Sequence, residues 1–313
     1  MMKFGILGFG NIARKFVKSI IYSDGVVYAI ASKSVQDNDP YLQKNPSVKV
    51  YHDYEKLLKD PDVEAVYIAL PHFQHKEWII KALQHHKAVL SEKPIALSSK
   101  DIEEIMEAVK QYDGYCLEAL KTKINVGYQS LKEDIKRLGK VQSIYANFCS
   151  DDQNIDKNSY LFDKNQGGAL NDIGTYVFGF LLDLADSPII KVESKIHRVN
   201  GIEMDFLTKL SFANGIIATG EGAINKEKER YALIKGEKGE IYIPMYNRIT
   251  TYTIRLKDKI IERKYPFYGD DMTLEIQALI DDVKQHLHEN KYHSLNDAKY
   301  IQEVIEMVRV HAK

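Results

Sequence analysis

The chain has 313 residues, with 43 basic and 44 acidic side chains for a formal charge of -1. That length exceeds most single cores and suits two domains, while 44% hydrophobic and 28% charged residues exclude disordered and fibrous classes. The even charge lacks the basic excess of a nucleic-acid surface, and no apolar run nears the ~20 residues that span a bilayer, the longest stopping at Asp183.

Met1-Met2-Lys3 runs straight into the strand-like Lys3 to Leu7 with no charged leader or cleavage site, which predicts a cytoplasmic protein. Gly8-Phe9-Gly10-Asn11-Ile12-Ala13 follows at once and opens a helix reaching about Ser23. In such a strand-turn-helix, the first glycine permits the bend and the second lets backbone approach a pyrophosphate. The small Ala13 lets the helix pack closely on the strand. Gly8, Phe9, Gly10, Asn11 and Ile12 are therefore candidate cofactor residues.

Val26 to Ala31 reads as the second strand, and its end carries Ala31-Ser32-Lys33-Ser34. A free ribose hydroxyl calls for a carboxylate there, whereas a ribose phosphate calls for a cation. Ser32 and Lys33 thus favour NADP over NAD, against the alternative of a solvated lysine in a loop. Asp53 to Leu58 is a capped helical turn, and Ala65 to Leu70 another strand, ending in Pro71-His72-Phe73-Gln74-His75. In an open parallel sheet this loop lies beside the cofactor, which adds Leu70, Pro71, His72 and His75 to the candidates. Two histidines without a third ligand make a poor metal site, so no metal is expected, and His75 suits a capping or hydrogen-bonding role. His85, His86, His286 and His288 read as solvated on polar helix faces.

Ala88-Val89-Leu90 is short enough for a buried strand, and Ser98 opens a helix with Ile102, Ile105 and Val109 at helical spacing. Between them Glu92-Lys93-Pro94 sits at the strand's carboxyl end, where proline restrains Lys93 to extended geometry. Read alone, Lys93 is either a catalytic lysine facing a cleft or a surface lysine after a strand. Tyr115 to Glu118 adds one more strand and closes a β/α alternation of about 120 residues. Cys116 and Cys149, the only cysteines, read as buried strand residues of a reducing compartment rather than a disulfide or CxxC pair.

After Ala119 the alternation stops. Val126 to Leu138 predicts a helix and Val141 to Cys149 a strand. Asp151 to Gln166 predicts a polar loop, either a substrate cover or plain surface. Ala169 to about Leu184 predicts one apolar helix, on which Asp172 and Tyr176 share a face. A carboxylate beside a phenol there is either a site or a cap-and-core pair. Lys191 to Tyr265 holds seven strand-like runs separated by turns such as Ala213-Asn214-Gly215, the pattern of an antiparallel meander. Helices over Met272 to His288 and Leu295 to His311 end the chain.

Four stretches in register, Gly8 to Ala13, Glu92-Lys93-Pro94, Glu118-Ala119 and Gly167 to Tyr176, resemble the glucose-fructose oxidoreductase, inositol dehydrogenase and rhizopine-catabolism (Gfo/Idh/MocA) family. The resemblance implies a doubly wound Rossmann domain over residues 1–120 binding cofactor with Glu92 and Lys93 among its contacts. It also implies a domain over residues 121–313, an open, mainly antiparallel sheet covered by helices, whose final helices are free to pack back on the first. Its catalytic set would be Lys93, Asp172 and Tyr176. The family usually has histidine at the last position; tyrosine resembles the dimeric dihydrodiol dehydrogenases and glucose-fructose oxidoreductase. Gln166 in place of the first of three glycines, and Val126 where family members often have proline, are further departures.

The expected activity is NAD(P)-dependent hydride transfer at a secondary alcohol or carbonyl of a small polyhydroxylated substrate, a sugar derivative or cyclic diol, by a homodimer or higher homo-oligomer paired through the second sheet. Tyr176 is favoured as acid/base with Lys93 lowering its pKa, although the residues alone leave open which of the two moves the proton. The alternative is a regulator of the same fold that binds NAD(P) without turnover.

Overall fold

The computed structural model describes residues 1–36, 38–152 and 159–312. They form two compact units, Met1–Ala119 with Tyr268–Asn296, and Leu120–Phe267 with the segment from Asp297 onward. No helix among the described residues is long and apolar enough to cross a membrane.

In the first unit six strands, β1 (Met2–Leu7), β2 (Gly25–Ala31), β3 (Lys49–Tyr51), β4 (Ala65–Ile68), β5 (Ala88–Ser91) and β6 (Cys116–Glu118), make a wholly parallel sheet in the order β3-β2-β1-β4-β5-β6. The apolar runs of β1, β4 and β5 are buried nearly throughout, as strands covered by helices on both faces must be. Phe16 of helix Asn11–Ser19 stacks on Tyr67 of β4 with ring centroids 4.1 Å apart. A side chain at Gly5 would run into Leu57 at 2.5 Å, so glycine sets how closely helix Tyr54–Leu58 approaches. Strand pairing puts Ala31, Leu7, Ile68, Ser91 and Glu118 in one row across the sheet. The strand order reverses between β1 and β4, the place where open α/β sheets bind ligands beyond their carboxyl ends.

Sequence periodicity does not reveal β3 or the short helix Pro40–Lys44: β3 is a three-residue edge strand, only partly buried, with no apolar run to announce it. Helix Asp271–Lys284 of the same unit is capped by Asp270, whose carboxylate accepts from the Met272 and Thr273 amides. It stops at Gln285, short of the expected His288, and helix His75–Gln84 likewise stops at His85. His86 and His286 lie just past these ends in left-handed backbone (φ 56° and 55°) rather than on helix faces.

The second unit is built on an eight-stranded sheet of β7 (Val141–Cys149), β8 (Ile189–Val199), β9 (Ile202–Phe212), β10 (Ile217–Ala223), β11 (Tyr231–Gly236), β12 (Gly239–Pro244), β13 (Thr251–Leu256) and β14 (Lys259–Lys264), in the order β14-β13-β12-β11-β7-β10-β9-β8. It is not a simple meander. β7 inserts between β11 and β10 and pairs parallel with β10, so the sheet is mixed although mostly antiparallel. Both cysteines are buried, in β6 and β7, as read from the sequence.

Alternation explains the layering: Phe206, Thr208, Leu210 and Phe212 of β9 point into the core, while Leu207 points outward. Helix Gly174–Ala185 packs on the inner face so tightly that a side chain at Gly220 would meet Val177 at 2.6 Å. The expected single helix over Ala169 to Leu184 is broken at Ile173 into Ala169–Asp172 and Gly174–Ala185. The Tyr176 amide donates to the Ile173 carbonyl instead of that of Asp172. Val126 is the first residue of helix Val126–Asp134, capped by Asn125, a position where proline and valine both serve because the amide needs no helical partner. Part of the expected Asp151 to Gln166 loop, 153–158, lies outside the described residues.

A buried carboxylate locks one end of this sheet. Asp134 accepts from Arg263 (Nε at 2.7 Å), Arg137 (2.6 Å) and the Tyr252 hydroxyl (2.8 Å). The Arg263 guanidinium, against the opposing effect of burial, holds Asp134 well below the usual carboxylate range. Its stabilisation is complete above the unfolded-state pKa near ~3.9 and is lost as pH falls toward the folded-state value. Asp134→Asn should therefore cost ~2 kcal/mol in urea unfolding at pH 7, and the gap to the parent protein should narrow at pH 3.

Candidate active site

Every turn of the first unit singled out in the sequence leaves the same edge of the sheet. Gly8 follows Leu7, Ser32 follows Ala31, Leu70 and Pro71 follow Ile68 by two and three residues, and Glu92 follows Ser91, each strand ending in the shared row. Gly8 has φ +86°, and a Cβ there would lie 2.5 Å from the Ala69 carbonyl oxygen, so only glycine fits. Gly10 is different: its added Cβ would meet nothing within 4 Å. It caps helix Asn11–Ser19 without a side-chain bond, and the first turn carries no acid. Helix amides left open beside a bare glycine are a cradle that fits a dinucleotide pyrophosphate. Phe9 and Ile12 flank it, and Arg14 stacks on the Phe9 ring at 4.5 Å while pairing with Asp39. Arg14 and Asp39 carry no motif and escape a sequence reading.

Beyond β2 the Ser32 side chain is buried and its hydroxyl accepts from the Ser34 amide at 3.3 Å. Lys33 is exposed, with its ammonium 5.9 Å from the centre of the Tyr54 ring. Among the described residues no carboxylate pairs with Lys33.

His72 and His75 are both buried, their rings 5.7 Å apart. His75 does not offer a ring nitrogen to a ligand: Nδ1 is 2.8 Å from the Pro94 carbonyl oxygen and Nε2 is 2.8 Å from that of Leu70. A neutral imidazole donates to only one of these at a time. Burial, the largest influence, lowers its pKa, against the two carbonyls and the charges of Glu92 and Glu118. His75 thus ties the loop after β4 to the turn after β5. Its side chain is committed inside the protein, unlike the cofactor contact expected of it.

In that turn the Lys93-Pro94 peptide is cis. Lys93 is partly exposed, while Pro94 and Ile95 are buried. Glu92 accepts from the hydroxyl of buried Tyr67. No group of three or more His, Cys, Asp or Glu among the described residues is placed to hold a metal ion.

Asp172 and Tyr176 belong to the second unit. Gly168 precedes them with φ +86°. Gln166 has no positive φ, so the first glycine of the family's run is conformationally dispensable here. Asn171 fixes the turn by donating to the Gln166 and Gly167 carbonyls at 3.2 and 3.1 Å and accepting from Arg309 at 2.6 Å. Tyr176 is 7% exposed and packs on Phe148 of β7, ring centroids 5.5 Å apart. The Arg230 guanidinium also lies against Phe148, 3.2 Å from the ring centre.

Burial lowers the pKa of Arg230, with Tyr246 and Tyr176 opposing and Arg248 reinforcing. Asp152 is raised, first by burial and then by the charges of Asp172 and Asp151. Phe148, Asp152, Arg230 and Tyr246 therefore share the neighbourhood of the Asp172-Tyr176 pair. Asp152 belongs to the polar loop read as a possible substrate cover, whereas Arg230 was not legible beforehand, since it ends the charged run Lys226 to Arg230, which reads as a solvated face.

The contrast between the two glycines gives a direct check. Gly10→Val should leave the melting temperature within ~2 °C of the parent protein, because its Cβ meets nothing, yet weaken dinucleotide binding by at least about a hundredfold in a fluorescence titration.

Comparison with known proteins agrees with this geometry. Residues 2–119 match the oxidoreductase family with an NAD-binding Rossmann fold, GFO/IDH/MocA, and residues 128–242 match its C-terminal domain. The chain is 27% identical to trans-1,2-dihydrobenzene-1,2-diol dehydrogenase of Mus musculus, over 98% of this chain and 96% of that one. It is also 27% identical to scyllo-inositol 2-dehydrogenase (NADP(+)) IolU of Bacillus subtilis, over 97% and 96%. In fold it is similar to KijD10, a 3-ketoreductase of Actinomadura kijaniata solved with NADP and TDP-benzene, at a TM-score of 0.85 and 21% identity over 100% of this chain and 98% of the other. The chain belongs to the GFO/IDH/MocA family of oxidoreductases.

Proposed function

We propose that the protein is an NADP-preferring dehydrogenase or reductase that interconverts a secondary alcohol and its carbonyl on a small polyhydroxylated compound, a sugar derivative or a cyclic diol. The observation that carries this reading is the shared edge of the parallel sheet, where the glycine turn, the Ser32-Lys33 pair and the Lys93 turn leave neighbouring strands. The near full-length likeness to a diol dehydrogenase and to an NADP-dependent inositol dehydrogenase supports the substrate class.

Gly8, Phe9, Gly10, Asn11 and Ile12 would hold the pyrophosphate, Ser32 and Lys33 the ribose phosphate, and Leu70, Pro71, His72, Glu92 and Lys93 would line the rest of the cofactor. The bound nicotinamide supplies or accepts the hydride. Lys93 polarises the substrate oxygen and stabilises developing alkoxide, Tyr176 gives or takes its proton, and Asp172 orients the hydroxyl. A cation brought close to a phenol lowers its pKa from the ordinary value near ~10, which is the assistance proposed for Lys93.

The assay is a nicotinamide absorbance change with purified protein and a panel of trans-diols, inositols and sugars. Turnover with NADP is expected, with Lys93→Met lowering kcat by about a thousandfold. Tight NADPH binding without turnover on any of them would favour the regulator instead. Lys33→Ala should weaken NADP by about tenfold while leaving NAD nearly unchanged; equal loss of both would remove the phosphate role. The outward face of the second sheet, with Leu207 and Ile217 exposed, is our proposed pairing surface for a homodimer in the same compartment-soluble, cytoplasmic enzyme. Light scattering should return twice the chain mass, and Leu207→Lys should shift it toward the monomer.

A further inference from the structure

Residues 92–95 are gripped from behind by groups that no part of the proposed reaction uses. The Pro94 carbonyl oxygen lies 2.8 Å from His75 Nδ1, Glu92 accepts from Tyr67, and the Ile95 amide donates to Glu118 Oε1 at 2.8 Å. The third grip has its own support. The other carboxylate oxygen, Glu118 Oε2, is 2.6 Å from Nε2 of His293, in a pair whose side chains are 3% and 0% exposed. The His293 amide in turn donates to Asn290 Oδ1, and Asn290 Nδ2 donates at 2.6 Å to Asp282, which also accepts from the Tyr115 hydroxyl.

A carboxylate at this depth is costly unless its oxygens are bonded. Glu118 meets that condition with one backbone amide and one imidazole, the second brought by the segment Tyr268–Asn296 from 175 residues further along the chain. An apolar pair of equal volume would serve stability as well or better, so a buried pair of this kind points to a fixed conformation rather than to added stability. What it fixes is the amide two residues after Lys93.

We propose that Glu118 and His293 are positioning residues that hold the Lys93-Pro94-Ile95 turn in register at the sheet edge, His293 acting through Glu118. This rests on the reading of Lys93 as a catalytic residue. The oxygen that grips Ile95 is kept aimed by the bond to its twin; without His293 the carboxylate turns toward other donors or water and the lysine loses its fixed origin. Displacement of a reacting group by about 1 Å costs on the order of a hundredfold in rate.

Two nearly isosteric variants separate the outcomes. His293→Gln places an amide donor where Nε2 was, whereas His293→Asn places it near Nδ1, out of reach of Glu118. Hydrogen exchange at the Ile95 amide reads the grip without any substrate. We expect exchange at Ile95 to quicken by about tenfold or more in the Asn variant and to stay near the parent rate in the Gln variant. In step, kcat should fall by about 10–100-fold in the Asn variant only, with the NADPH dissociation constant within about threefold of the parent value in both.

Unchanged Ile95 exchange in the Asn variant would overturn the proposal. So would a loss of kcat, cofactor affinity and exchange protection throughout the first unit together, which would make the pair merely structural. If the Asn variant does not fold, Glu118→Gln takes its place: an amide oxygen still accepts from Ile95, so protected exchange is expected and its loss would be contrary. Should the parent protein turn over no diol, inositol or sugar, the proposed function fails, and the exchange result alone decides whether the pair holds the turn.

Discussion

The register of the parallel sheet is the constraint on which the rest of the first unit depends. Because parallel strands pair in fixed steps, Ala31, Leu7, Ile68, Ser91 and Glu118 are locked into one row, and whatever follows each of them emerges at one edge. A slip of one residue in β1, β4 or β5, each buried on both sides, would exchange the side chains fitted against the helices of one face with those of the other and take its last residue out of the row. The glycine turn, the loop after β4 and the lysine turn are neighbours for this reason rather than through contacts of their own. His75 and Glu118 then add the contacts, tying the lysine turn to the strands on either side of it.

The second unit works by close approach. Glycines in β10 let helix Gly174–Ala185 settle on the sheet, with Gly220 facing Val177 and Gly222 facing Phe206 and Ile173. Tyr176 is brought down onto Phe148, and through that ring into the company of Arg230. The break at Ile173 sets Asp172 at the end of one helix and Tyr176 in the first turn of the next. Their spacing of four residues therefore arises across a helix junction rather than along a continuous helix.

Much of this was legible in the sequence wherever a pattern was both local and repeated. Buried parallel strands read as apolar runs, and the glycines before helix Asn11–Ser19 as a cofactor turn. Four features were not legible, one because it is short and three because they depend on distant residues. β3 is short and half-exposed, so it has no periodicity to read. The insertion of β7 beside β10 is a long-range choice that leaves no mark in either strand. His293 reads as a lone histidine in a polar stretch until the chain's return to the first unit brings it against Glu118. Arg230 was hidden the same way, at the end of a charged run in which Glu227, Lys228 and Glu229 are exposed.

The proposed reaction moves a hydride between a polyol carbon and NADP. The most direct measurement is isotopic: incubate the protein with NADP and a diol or inositol carrying deuterium on its alcohol carbon, then determine the mass of the reduced cofactor. One deuterium is expected in the nicotinamide ring of the product NADPH. Reduced cofactor without deuterium, or none formed while NADP remains bound, would contradict it.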